Sequence, residues 1–336
     1  MVIASATAQR SCELVVLIPD GAAEPGTSTS LSRAATPHLD ALTARQGVGA
    51  LRVIPPGWHP GTETGVARLL GLALTVPPSR GWLDAAALGL DVPARCAAWR
   101  LDVNGGGADR TRIEDRFKAL TGTSEVAVAA IDKRRHVLIG PARWGDAAAG
   151  HDQPMPPSWR LRLAPIAAEF QVGLHAWGTA ARPQLAASTD LAVRPASGAV
   201  HGLARLAGCE VLPGRPTALE RILAGGARTV VVHDAAPDEA AHARDIDAKI
   251  AALERFDTEV VGPAVSAALA VGARVVVAPD HGCDPATGRH TSEPVPATWP
   301  GAPGHGRLTE HAVQGLAPTE METMFAASVG DREFVA

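Results

Sequence analysis

The sequence predicts an α/β fold: a largely parallel sheet flanked by helices, with a smaller inserted α+β cap domain. Three observations predict it. Short apolar runs recur at Leu14 to Ile18, Thr229 to Val232 and Arg274 to Ala278. Runs of that length and β-branched content read as buried strands. Helix-patterned segments alternate with them, which implies parallel strands with helices on both faces. Between residues 76 and 165 the alternation weakens, and Pro77-Pro78, Gly105 to Gly107 and Pro154 to Pro157 act as breakers. The expected core is therefore 1–75 with 166–336, and the expected insert is 76–165. A chain of 336 residues is large enough for either a second domain or such an insert.

In order, the strand Leu14 to Ile18 opens the core. Thr36 reads as an N-cap with Pro37 at the first helical position, and Leu39, Leu42 and Val48 supply apolar positions. Gly65 to Leu74 reads as a short helix leaving a turn at Pro60 to Thr64. Within the insert, Val126 to Ile131 and His136 to Ile139 read as strands. Helices are expected over Ser197 to Ala207 and Ala218 to Leu223. A long amphipathic helix is expected over Asp238 to Val260, with Ile246, Ile250, Leu253 and Val260 at helical spacing. Arg274 to Ala278 is the last core strand, and no internal repeat is visible.

Composition narrows the function. The chain is 46% hydrophobic and 20% charged with net charge −4, as expected of a globular protein. No apolar run approaches the ~20 residues of a membrane-spanning helix. The stretch Met1 to Ala8 is too short in its apolar part for a signal peptide. There is no Lys/Arg cluster of the kind nucleic-acid binding needs. Cys12, Cys96, Cys209 and Cys283 are scattered without CxxC spacing, and read as reduced thiols of a cytoplasmic protein rather than metal ligands. The expected partner is a small anionic molecule, with neither nucleic acid nor membrane.

The chemistry lies at the strand ends. Leu14 to Ile18 runs into Pro19-Asp20-Gly21, Thr229 to Val232 into His233-Asp234, and Arg274 to Ala278 into Pro279-Asp280-His281-Gly282. Ligands of open α/β sheets sit beyond the carboxyl ends of the strands, so three such ends point to one site. Asp238 and His242 are four apart at a helix start and share a face. His290 follows a few residues after His281. Carboxylates and imidazoles together suit two divalent ions, Mn²⁺, Zn²⁺ or Mg²⁺, and two ions can clamp the attacking and leaving oxygens of an in-line phosphoryl displacement. Thr62, in the turn Pro60 to Thr64, is the candidate nucleophile, with Thr64 its rival. The plainer readings are that His233 caps its strand, and that Asp245, Asp247 and Asp257 are solvated helix charges.

At these motifs the chain resembles the cofactor-independent phosphoglycerate mutases of archaeal type, in the alkaline phosphatase superfamily. The matching stretches are Asp20-Gly21, Thr36 to Asp40, Pro60 to Thr64, Arg80 to Gly89, Ala199 to Gly208, Asp238 to His242, Asp280-His281 and His290 to Pro296. The resemblance implies an alkaline-phosphatase-like core with an inserted cap. It implies one ion held by Asp238, His242 and His290, and the other by Asp20, Asp280, His281 and the Thr62 nucleophile. It also implies a phospho-enzyme intermediate and return of the group to the substrate.

Several positions depart from the family pattern. Thr62 stands where Ser is usual, Glu63 where Asp is usual, and His201 where a substrate-binding Lys is usual. The insert is shorter than in typical members. Thr is the nucleophile favoured by nucleotide phosphodiesterases of the same superfamily. The leading expectation is thus a phosphomutase acting on a small phosphorylated or phosphonylated acid. The alternative is a metal-dependent phosphodiesterase or phosphatase, and a non-catalytic binding protein comes third. Arg80, Arg95, Arg135, His136 and His201 are the expected substrate contacts, with Lys133 and Arg134 beside them. The plainer reading of Lys133 to His136 is a solvated turn.

Overall fold

The computed structural model describes residues 12–105, 110–150, 153–186, 190–213 and 227–329. The helix expected at 218–223 and the N-terminal stretch lie outside the described residues. In chain order the elements begin β1 (Leu14–Pro19), α1 (Ser30–Arg33), α2 (Pro37–Gln46), β2 (Gly49–Arg52), α3 (Thr62–Leu69) and α4 (Arg80–Ala87). Next come β3 (Cys96–Asn104), α5 (Arg110–Thr121), β4 (Ala127–Ala130), β5 (Arg135–Pro141), α6 (Pro157–Phe170) and β6 (Gly173–Trp177). They continue with β7 (Leu191–Arg194), α7 (Gly198–Leu206), β8 (Glu210–Val211), β9 (Thr229–Asp234), α8 (Ala236–His242), α9 (Ile246–Phe256) and α10 (Gly262–Val271). The last described are β10 (Arg274–Val277), β11 (Gly282–Asp284), β12 (Arg289–Thr291), β13 (Val295–Ala297), α11 (Glu310–Val313), β14 (Thr319–Glu320) and α12 (Met321–Val329).

These elements form two compact units, one within 1–75, 186–200 and 207–336, the other within 76–185 and 201–206. The first is built on a parallel five-stranded sheet in the order β10-β1-β9-β7-β8. Every residue of β1 is buried, as expected of a strand covered on both faces. Val15, Leu17, Val230, Val232, Val275 and Val277 pack in one apolar cluster with Leu39, Leu42, Phe256 and Val260. Val15 lies beside both Val230 and Val275, and Ile18 lies beside His233. Parallel pairing in that register brings the carboxyl ends of β1, β9 and β10 to one edge of the sheet. A hairpin of β11 and β12 follows, with Cys283 directly opposite His290.

The second unit holds an antiparallel sheet in the order β4-β5-β3-β6. Its core stacks Trp99 on Trp144, with Trp159 edge-on to both rings. β6 hydrogen-bonds to β3, so this unit runs to 185 where the sequence reading ended the insert at 165.

Three local expectations need correction. The single helix expected over 238–260 is broken into α8, α9 and a π turn, Asp257–Val261, that leads into α10. Arg244 takes φ 58°, a left-handed conformation that ends α8, and Asp245 then caps α9 by accepting from the Ala248 N–H at 2.9 Å. Pro263 has no N–H to bond back into the preceding turn, which accounts for the widened segment before it. Asp257, expected to be solvated, is fully buried. Its carboxylate accepts from the His38 and Leu39 N–H groups at 3.1 and 2.7 Å, taking the capping role expected of Thr36, whose side chain makes no cap bond.

Candidate metal centre

The six carboxylates and imidazoles singled out as metal ligands converge in the first unit, as does Thr62. Asp20 leaves β1 just before Gly21, whose φ of 57° turns the chain sharply at the sheet edge. A Cβ on Gly21 would stand 2.4 Å from Asp238 Oδ1, so only glycine lets the two segments approach. Asp280 Oδ1 accepts from the Gly21 and His281 N–H groups, both at 3.1 Å. That leaves Asp280 Oδ2 buried with no hydrogen-bond partner. Asp238 Oδ1, in a residue 8% exposed, is in the same condition. Buried polar atoms without partners are costly, and a cation is the partner that two carboxylate oxygens lack.

Ligand atoms fall into overlapping groups whose members lie within 4.8 Å of one another: Asp20, His233 and Asp280; Asp20, Asp238 and His281; and Asp238, His242, Cys283 and His290. Asp20 and Asp238 thus link the groups into one continuous centre. The imidazoles are set for lone-pair donation. His242 Nδ1 lies 2.9 Å from the Gly288 carbonyl and His290 Nδ1 3.2 Å from that of Pro60, so each Nδ1–H donates there. Their Nε2 atoms are then left 2.9 Å apart, two lone pairs facing one spot. His281 Nδ1 likewise lies 3.1 Å from the Gly282 carbonyl, with Nε2 turned to Asp20 at 3.3 Å. The donor set, the orphaned oxygens and the facing lone pairs all fit divalent ions.

The electrostatics describe the same shortage of positive charge. Burial, and then the Asp20 carboxylate, push Asp280 up to about 7. Burial alone would lower His281, but Asp280 and Asp20 lift it to about 10. Burial opposes ionisation of Asp20, yet the His233 and His281 hydrogen bonds bring it down to about 2. Asp238 is likewise held well below the carboxylate range by His242 and His290, against the effect of burial. Buried carboxylates in this centre therefore depend on neighbouring cations or protons.

Thr62 opens α3, and its Oγ1 lies 3.4 Å from both Asp20 oxygens and from His281 Nε2. Gly61, the N-cap, has no side chain to bond the first turn of the helix, and its carbonyl accepts from the Thr64 and Gly65 N–H groups at 3.1 and 3.0 Å.

The five expected substrate contacts lie in the second unit, and the three arginines are each paired with a carboxylate there. Arg80 pairs with Asp84 on α4, Arg95 with Glu125 and Arg135 with Asp132. His136 is buried on β5, and His201 is half-buried on α7. Lys133 and Arg134 are exposed in the turn before β5, but the plainer reading carried that turn to His136, which with Arg135 belongs to β5.

Comparison with known proteins accords with this geometry. A family profile described as the metalloenzyme superfamily matches residues 213–324, and one described as 2,3-bisphosphoglycerate-independent phosphoglycerate mutase matches residues 44–136. A probable phosphoglycerate mutase of that type from Geobacter sulfurreducens is 26% identical over 364 aligned residues, covering 84% of this chain and 89% of the relative. A Methanosarcina acetivorans relative of the same description is 24% identical, covering 84% and 88%. Among solved structures, a Pyrococcus horikoshii protein superposes with TM-score 0.72 at 18% identity, over 97% of this chain and all of the other. The cofactor-independent phosphoglycerate mutase of Thermoplasma acidophilum superposes with TM-score 0.59 at 16% identity, over 94% and 100%. The chain resembles the cofactor-independent phosphoglycerate mutases.

Two residues of this phosphoglycerate-mutase-like centre were missed from sequence. His233, read as a strand cap, places Nε2 3.1 Å from Asp20 Oδ2, while its Nδ1 accepts from the Ala196 N–H at 3.4 Å. Its Nε2–H therefore donates to Asp20 and orients that carboxylate. Position 233 at the end of a parallel strand was the available signal, since the strand beside it runs straight into Asp20. Cys283 is the second: without CxxC spacing its sequence gives no ligand signal, yet its Sγ stands among Asp238, His242 and His290.

A third contribution comes from Gly65. A Cβ there would stand 2.2 Å from the Asp280 carbonyl oxygen, so glycine is what lets α3 carry Thr62 up to the strand end. Gly65→Ala is expected to cost ~1–3 kcal/mol of stability by overpacking. It is also expected to lower turnover by displacing Thr62, and a melting curve with a kinetic assay checks both.

Proposed function

We propose that this protein is a two-metal phosphoryl-transfer enzyme, a phosphomutase with Thr62 as nucleophile, acting on a small phosphorylated or phosphonylated acid. The observation that carries the reading is Thr62 Oγ1, 3.4 Å from Asp20 and His281 at the N-terminus of α3. Asp20, Asp280, His281 and Thr62 would hold one ion, and Asp238, His242 and His290 the other. When bound, such ions supply Lewis acidity that favours the ionised hydroxyl and balances charge on the phosphoryl oxygens.

The protein's own groups do the rest. Asp20, oriented by His233, faces the Thr62 hydroxyl that must lose a proton before attack. The Thr62 N–H at the start of α3 would receive a phosphoryl oxygen as negative charge builds on it. Attack by Oγ1 on phosphorus breaks the ester bond and leaves the group on Thr62. A mutase then returns it to another oxygen of the same substrate, whereas a hydrolase passes it to water. The relatives named as phosphoglycerate mutases support the first outcome. Arg80, Arg95, Arg135, His136 and His201 stand as proposed contacts for acid groups on the strength of their residue type.

His201 stands where a Lys is usual, so a short ring replaces a point charge on a long flexible stem that could reach an anion. Interconversion of 2- and 3-phosphoglycerate is therefore expected to be weak, with faster turnover of another phosphorylated, phosphonylated or nucleotide-linked molecule. A steady-state screen of these classes with Mn²⁺, Zn²⁺ or Mg²⁺ tests this, together with mass spectrometry for phospho-Thr62. Phosphoglycerate turnover near the ordinary ~10 s⁻¹ would overturn the substrate expectation. No turnover of any phosphoryl compound, and no phosphopeptide, would overturn the enzyme reading.

A further inference from the structure

We propose that Cys283 is a fourth donor to the ion assigned to Asp238, His242 and His290, so that this half of the centre is a thiolate site selective for Zn²⁺ or Co²⁺. The inference rests on the reading that those three residues hold a divalent ion, and goes beyond it by naming the donor that decides which one.

Its basis is the register of the β11–β12 hairpin. Cys283 pairs directly with His290, and opposed residues of an antiparallel ladder project to the same face with Cβ atoms ~5 Å apart. The hairpin therefore presents a sulfur and an imidazole side by side. From the facing segment, α8 contributes Asp238 and His242, whose carboxylate and Nε2 lie 3.2 Å apart. One ligand atom from each of the four residues lies within 4.8 Å of the others, a spacing that one tetrahedral ion can span.

Three details separate Cys283 from an ordinary core cysteine. Cys12 and Cys96 are also buried, but sit in apolar clusters, where a thiol serves as a small hydrophobe. Cys283 is fully buried yet faces two imidazoles and a carboxylate. Beside it, Asp238 Oδ1 is buried without a hydrogen-bond partner, and lies 3.5 Å from His290 Nε2. The strand that carries the sulfur is also held in place: the Lys249 ammonium, buried and paired with Glu24 at 2.8 Å, donates to the Cys283 carbonyl at 2.7 Å.

The consequence is a difference between the two halves. Asp20, Asp280, His281 and Thr62 offer oxygen and nitrogen donors, which Mn²⁺ and Mg²⁺ accept readily. A set with one thiolate, two imidazoles and a carboxylate favours Zn²⁺ or Co²⁺ and disfavours Mg²⁺ and Mn²⁺. Ion binding there displaces the thiol proton to solvent, and a sulfur–metal bond forms.

Titration of the metal-stripped full-length protein with Co²⁺ tests the assignment. The expected spectrum contains cobalt ligand-field bands together with a near-ultraviolet thiolate-to-cobalt charge-transfer band. Cys283→Ser should lose the charge-transfer band and keep the ligand-field bands. Its Zn²⁺ affinity should fall by at least the ~10-fold that loss of even an outer partner costs, with a smaller change for Mn²⁺. Bound Co²⁺ lacking the charge-transfer band in the parent protein would overturn the role of Cys283 and leave the metal centre standing. A band that persists in Cys283→Ser would overturn it as well, and no Co²⁺ binding at all would overturn both. The parent spectrum decides even if the variant fails to fold.

Discussion

Thr62→Ala is expected to reduce turnover on the enzyme's best phosphoryl substrate by on the order of 10⁴-fold or more, the scale seen when a covalent nucleophile is removed. The fold should survive, because the change deletes only a hydroxyl and a methyl group at the helix start. Ion binding at Asp238, His242 and His290 should also survive, since Thr62 makes no hydrogen bond to them. Thr62→Ser should retain activity, because serine offers the same oxygen beside Asp20 and His281. Kinetics, a melting curve and metal analysis on the same preparations separate these effects. Thr64 is two positions further along the same helix turn and is also buried. Full activity in Thr62→Ala would hand the nucleophile's role to it or to water.

Asp280→Asn has the second large effect, and its sign reverses with metal. Asparagine keeps an oxygen for the Gly21 and His281 N–H groups but removes the charge. In the metal-bound protein the substitution should abolish one ion and, with it, the stabilisation that ligand binding provides. In the metal-free protein it should raise the melting temperature. The folded state lifts the Asp280 carboxyl from 3.8 to about 7, through burial and the Asp20 charge. The ionised form is therefore disfavoured by folding, at ~1.4 kcal/mol per pKa unit. That penalty starts once pH exceeds the unfolded value and reaches full size, of order a few kcal/mol, as pH passes about 7. The gain from Asn should accordingly be absent at pH ~3 and largest above neutrality. Melting curves across pH, with and without chelator, read it directly. A metal-free Asp280→Asn protein that melts below its parent at pH 8 would contradict the assignment of Asp280 as an ion-dependent carboxylate.

The sequence by itself determined which residues are candidates to carry the chemistry. Strand runs such as Leu14 to Ile18 and Arg274 to Ala278 are legible because burial on both faces leaves no polar alternation. The residues that follow them are legible because a parallel sheet gathers its functional groups at one edge. Asp20, Asp280 and His281 could thus be placed together before their distances were seen, and Asp238 with His242 needed only helical spacing. Tertiary structure alone decided what depends on register and on contacts between distant segments. Pairing of β1 with β9 put His233 opposite Ile18 and within hydrogen-bond reach of Asp20, and pairing of β11 with β12 put Cys283 opposite His290. Asp257 became the cap of α2 across 218 positions of chain, where local pattern pointed to Thr36. The break at Arg244 and the extension of the second unit through β6 were settled in the same way. Periodicity records which face of an element is apolar, but not which residue of another element meets it. That partner is chosen by packing and strand register, where a shift of a single residue exchanges the two faces.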